Sequence, residues 1–292
     1  MSASDGEAGL GAFPAPAADP TPLPPPLPPS LSLSMPEPPP THYRPLTPWG
    51  PWLGLGATLL IGLAVVAFLA IAGLLLTIVL PGAFDRTALP VPKPHFDIPS
   101  VAYGFSAIML ASQLVGILLT LAFAGARGGR IADVLGLGAP LGGAWTYAWA
   151  VPAFVVYGFG LGAIVQWLWP QSSQADIEQI TQLAHSPAAW MIFLIAVVMA
   201  PLQEELVFRG FLFSAFAKSR WLGFVGATLL TSLGWAAIHG YSITGDATIF
   251  LLGLALCAIL WRTGSTRVTM ACHGVYNALA FLAAVVSTGS GT

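Results

Sequence analysis

Charged side chains are scarce: Asp, Glu, Lys and Arg make up only 8% of this 292-residue chain. Ten Lys and Arg stand against twelve Asp and Glu, for a formal net charge of −2, and no basic stripe runs along any segment. A phosphate backbone needs a clustered positive face, so nucleic acid is excluded as a partner. Cysteine is rarer still: Cys257 and Cys272 both fall in apolar runs and read as small core residues, not as a disulfide. No His is followed by Glu, so the HExxH zinc helix is absent. Gly245-Asp246 falls in an expected loop without the second Asp of a membrane aspartyl dyad. Ser232 precedes Leu233, outside any Gly-x-Ser-Gly elbow, which removes a serine mechanism.

Apolar residues fill the chain instead, 56% of it, with a mean hydropathy of +0.79. That composition belongs to an all-α, polytopic membrane bundle, an integral multi-pass protein whose first partner is the lipid bilayer. Residues 1–48 hold most of the prolines, including Pro24-Pro25-Pro26 and Pro38-Pro39-Pro40. Such a segment buries too little surface to fold and reads as a disordered spacer, or a docking tail for a proline-reading partner. It has neither the basic start nor the apolar run of a cleaved signal peptide.

Seven spans are expected: Trp52 to Leu80, Val101 to Ala126, Trp145 to Trp169, Ala188 to Lys218, Trp221 to His239, Thr248 to Arg262, and Arg267 to Val286. Residues 49–130 form an N-terminal membrane part, 131–287 the core, and 288–292 a short tail. Ile131 to Leu141 reads as a short interfacial helix and turn, Gln171 to Ser186 as a loop. At about 31 residues, or roughly 46 Å as helix, the fourth span is too long for the bilayer and should tilt, bend at Pro201, or end in an extension. Arg44, Arg127, Arg130, Lys218, Arg220, Arg262 and Arg267 fall on one side of successive spans. The positive-inside bias then puts the N terminus in the cytoplasm, with the plasma membrane as the expected site. Arg86 and Lys93 are exceptions, balanced in part by Asp85 and Asp97.

The fourth span carries Glu204, Glu205 and Arg209, and charge in hydrocarbon is costly unless paired and useful. Glu205 and Arg209 are four apart and share a helical face, which suits an ion pair. Glu204 is rotated about 100° away and is left for chemistry. The later spans add His239, and His273 with Asn277 one turn beyond it. A carboxylate and an imidazole can share a water and take its proton, while a second imidazole and an amide can face an oxyanion. Glu204, His239 and His273 are also a ligand set for a divalent metal such as Zn²⁺, and the residues alone do not separate the two. Buried carboxylates and histidines also build proton relays, so a proton-coupled transporter stands as the alternative, together with a non-proteolytic scaffold or immunity protein. A transporter should show an internal repeat, and none is found.

Glu204-Glu205-Leu-Val-Phe-Arg209, then Trp235-Ala-Ala-Ile-His239, then His273-Gly-Val-Tyr-Asn277 resemble the EExxxR, FxxxH and HxxxN motifs of the CAAX prenyl protease and bacteriocin-processing family. The resemblance covers roughly residues 131–286, with Trp235 where the family usually has Phe. It implies an intramembrane endopeptidase acting on a membrane-associated peptide or protein, prenylated or a peptide precursor. By that likeness Glu204 with His239 activates water, His273 and Asn277 face the oxyanion, and Glu205 with Arg209 braces the site. The family has been described both as metal-dependent and as glutamate proteases.

Overall fold

The structure, a computed structural model, describes residues 43–80, 84–85, 93–94 and 97–287. The expected proline-rich tail lies outside the described residues up to position 42, as does the C-terminal tail from 288. The described part is helical, apart from a two-residue antiparallel pair, β1 (Phe84–Asp85) with β2 (Lys93–Pro94). In order the helices are α1 (Pro51–Val79), α2 (Pro99–Gly125), α3 (Ile131–Val134), α4 (Trp145–Leu168), α5 (Pro170–Ala184), α6 (Ala189–Ala217), α7 (Gly223–Ala237), α8 (Ile243–Thr263) and α9 (Thr266–Val286). Six of them, α1, α2, α4, α6, α8 and α9, are long and apolar enough to cross a membrane. The protein is an integral, multi-pass helix bundle.

Several expectations change in detail. The fifth span is helical over 15 residues only. At about 22 Å it falls short of a hydrocarbon core of about 30 Å. The segment expected as a loop after α4 is helix α5, started by Pro170. Its sequence is polar overall, which hid a narrow apolar stripe at Ile177, Ile180 and Leu183. The interfacial helix shrinks to the four residues of α3. Gly245 and Asp246, expected in a loop, form the first turn of α8, where the Ser242 hydroxyl caps by accepting from Gly245 N at 3.1 Å.

The overlong α6 neither stays regular nor bends at Pro201 alone. Two π segments, Ile195–Met199 and Glu205–Phe213, flank a short α stretch that contains Pro201. In the first, Ala200 N–H bonds to Ile195 O. Continuing that register would pair Ala196 O with Pro201, which has no N–H. Asn277 of α9 fills the gap: its amide nitrogen donates to Ala196 O at 2.8 Å. The Val197 carbonyl lies against Gly274, where a Cβ would sit 2.7 Å from that oxygen. Glycine is required there for α9 to come close enough for the Asn277 bond. The second π segment is buried along all nine residues. Small residues do the same elsewhere, as lipid offers helices no hydrophobic drive to associate and close packing must serve. A Cβ on Gly54 of α1 would meet Ala215 of α6 at 2.5 Å.

One end of the bundle is tied shut by the chain before α1. Tyr43 N donates to Trp261 O at 2.8 Å and the Tyr43 hydroxyl pairs with Ser214 Oγ at 2.7 Å. Lys218 Nζ donates to Thr47 O, and Trp49 stacks on Phe211 with centroids 4.3 Å apart. Leu141 N reaches Thr263 O and Thr266 N reaches Gly136 O, each at 2.8 Å, closing the α2–α4 connection onto the α8–α9 turn. Residues 43–48, expected to belong to the tail, are thus partly seated in the bundle, with Tyr43 and Thr47 buried.

Candidate active site

Glu204 and His239 meet across the α6–α7 contact. His239 Nδ1 lies 2.7 Å from Trp235 O and its Nε2 lies 3.9 Å from Glu204 Oε2. A carbonyl only accepts, so Nδ1 carries a proton, and Nε2 is the ring nitrogen that faces the carboxylate. The 3.9 Å separation is too long for a direct hydrogen bond and suits one bridging water. Both side chains keep some exposure, 13% for Glu204 and 20% for His239.

Glu204 has a partner that sequence reasoning missed. Trp235 Nε1 donates to Glu204 Oε2 at 2.6 Å. The same indole meets the His239 ring edge-on at 5.2 Å and the His273 ring at 5.3 Å, and its face carries the Arg209 guanidinium 4.2 Å from the centroid. The signal was visible as a Trp where the motif has Phe, but the residue type alone did not say that the N–H would reach the carboxylate. Trp235→Phe removes the donor and leaves a void. We expect about 1–2 kcal/mol less stability from the lost charge-assisted bond and packing, read by thermal unfolding in detergent.

Glu205 points the other way, into the bundle. Its Oε1 accepts from Arg209 Nη1 at 3.0 Å and lies 3.1 Å from His273 Nδ1. Glu205 and Arg209 are both fully buried. The expected ion pair is present, and it also holds His273, turning that imidazole so that Nδ1 is committed and Nε2 is free. Arg209 Nε and Nη2 have no hydrogen-bond partner, and the Trp235 ring face supplies electrostatic contact in their place.

Glu204, Trp235, His239, His273 and Asn277 all line one cavity of about 490 Å³. Its walls are mostly apolar, from Phe105 and Met109 of α2, Phe154 of α4 and Ile192 of α6, and α5 covers it with Ile177, Ile180 and Leu183. Asp176 anchors that cover, accepting from Ser242 N at 3.0 Å and Ser242 Oγ at 2.6 Å. Tyr241 stacks on His239 at the same mouth. Burial, with the Asp176 and Glu204 carboxylates nearby, pushes its phenol above the ordinary value, so it stays a neutral donor. Neither Asp176 nor Tyr241 was among the expected site residues, and only the fold brings them there.

The donors do not fit a metal as they stand. Among the described residues no three His, Cys, Asp or Glu side chains converge on a point that could hold an ion.

Residues 186–279 match the family model described as Type II CAAX prenyl endopeptidase Rce1-like. No curated protein and no solved structure matches the chain. The matched segment runs from the start of α6 to just past Asn277 and contains both glutamates, Arg209 and both cavity histidines. The part of the chain that builds the polar wall of this cavity is therefore the part that is similar to the Rce1-like type II CAAX prenyl endopeptidases.

Proposed function

We propose that the chain is an intramembrane endopeptidase of the glutamate type. The observation that carries this is the Glu204–His239 pair, 3.9 Å apart with the imidazole Nε2 turned toward the carboxylate. A water between them gives its proton to this pair and attacks the scissile carbonyl carbon. The carbonyl oxygen takes the negative charge. His273 Nε2 and the second amide hydrogen of Asn277 face it. The first Asn277 hydrogen is already used on Ala196 O, which fixes the side chain's direction. As the C–N bond breaks, the proton held by the pair passes to the leaving amine.

The substrate is a membrane-associated peptide, prenylated or a precursor, since the cavity is apolar around a small polar centre. Two buried polar atoms without partners, Ser106 Oγ and Gln113 Oε1, line it from α2. Seven residues along a helix separate them by roughly 10 Å, about three residues of extended peptide, so they suit a bound backbone. In liposomes the purified chain should cleave a membrane-anchored peptide while the Glu204→Gln variant does not. Substrate-driven proton flux without cleavage would instead mark a transporter.

Metal dependence is tested separately. We expect little zinc by elemental analysis and activity that persists in a membrane-permeant chelator. One zinc per chain, lost together with activity in His239→Asn, would replace the water-activation step and leave the endopeptidase assignment standing.

A further inference from the structure

Trp235 holds both members of the Glu204–His239 pair, one through its side chain and the other through its backbone. Its indole N–H donates to Glu204 Oε2 at 2.6 Å, while its carbonyl accepts from His239 Nδ1 at 2.7 Å, one turn further along the chain. The 3.9 Å between Oε2 and the other imidazole nitrogen is thus set by a single residue. A glutamate carboxylate turns easily about its last torsion, where the rotamer wells are broad. Among the described residues Glu204 has no Lys or Arg partner to stop it, since Arg209 gives its Nη1 to Glu205. The indole N–H does that work.

The donor is itself held still. Trp235 is 3% exposed, carries the Arg209 guanidinium over its ring at 4.2 Å, and makes T-shaped contacts with the His239 and His273 rings. On the α8 side a Cβ at Gly253 would lie 3.1 Å from its Cε3, so glycine there lets α8 close onto the indole. These contacts use the faces, edges and volume of the ring, and a phenyl ring would keep most of them. None of them needs the N–H. A buried indole N–H seeks a partner, and here the partner is the carboxylate that faces the shared water.

We infer that Trp235 is a positioning residue for the reaction: its N–H aims the Glu204 carboxylate at the water shared with His239, so that losing it costs turnover and not substrate binding. Resting on the endopeptidase reading, this assigns the residue that sets the geometry of the base. A carboxylate accepts at about four positions, and the indole takes one of them, which leaves the others for water. Misplacing a reacting group by about 1 Å costs about 10²-fold in rate, so a base free to turn loses much of its effect.

The test is cleavage of a membrane-anchored peptide by the full chain in liposomes, well below the melting transition. Trp235→Phe should lower kcat by about 10- to 10²-fold and leave KM within about twofold. Leu256→Val, at a fully buried position of α8 outside the cavity, loosens the same core and should keep the parent kcat. On a Glu204→Asp background, whose shorter side chain draws the carboxylate away from the indole, Trp235→Phe should cost less than about twofold more. Equal kcat in the parent and Trp235→Phe, a rise in KM alone, an equal loss in Leu256→Val, or the same loss on both backgrounds overturns the inference. A second readout needs no turnover. Of the ten indole N–H resonances of isotopically labelled protein, the one missing in Trp235→Phe should move upfield in Glu204→Gln, because a neutral amide accepts more weakly than a carboxylate. If it stays in place, the indole does not hold the base. A parent chain that cleaves no peptide counts against the endopeptidase reading, whereas a cleaving parent matched by Trp235→Phe counts against the role of Trp235 alone.

Discussion

Glu204→Gln should reduce peptide cleavage by roughly 10²- to 10⁴-fold, the usual contribution of a positioned general base, and leave the fold intact. The amide keeps an oxygen for the Trp235 N–H and nearly the same volume, so the 2.6 Å contact has a successor while the proton acceptor is lost. Glu204 retains some exposure at the cavity wall, so the change strands no charge. Retained helicity and an unchanged thermal midpoint, with cleavage gone, would support the assignment. A purified Gln variant that cleaves at the parent rate would end it.

Arg209→Ala should act mainly on stability, by about 3–5 kcal/mol, because it leaves the fully buried Glu205 carboxylate without its counter-ion. It also empties the space over the Trp235 ring. Replacing both partners, Glu205→Gln with Arg209→Met, removes the charges together and should restore much of the thermal midpoint. Activity should not return with it. His273 Nδ1 would then face a neutral amide where it had a carboxylate, so the ring loses the charged partner that orients it. Recovery of stability with persistent loss of turnover separates the two roles of Glu205. If Arg209→Ala melts where the parent does, the bracing role is wrong. If the double variant regains full activity, His273 does not need the carboxylate.

The membrane class, the helical fold and the polar residues of the site were legible in the sequence because the bilayer penalises charge and unpaired backbone so strongly. Apolar runs of a fixed length could only be helices, and Glu204, Glu205, Arg209, His239 and His273 stood out against hydrocarbon. The Glu205 to Arg209 pair followed from helical spacing alone, since four residues place two side chains on one face even where the helix widens into a π turn.

What only the tertiary structure decided depends on contacts between segments far apart in the chain. The Trp235 N–H reaches Glu204 across 31 positions, and Asn277 mends the Ala196 carbonyl that Pro201 cannot serve across 81. No local pattern encodes such a bond, as each partner is satisfied only once the helices have docked. Helix α5 escaped the sequence reading for a related reason: its stripe of Ile177, Ile180 and Leu183 is too thin to signal a helix by period, and becomes an element only when the cavity mouth supplies the surface it covers.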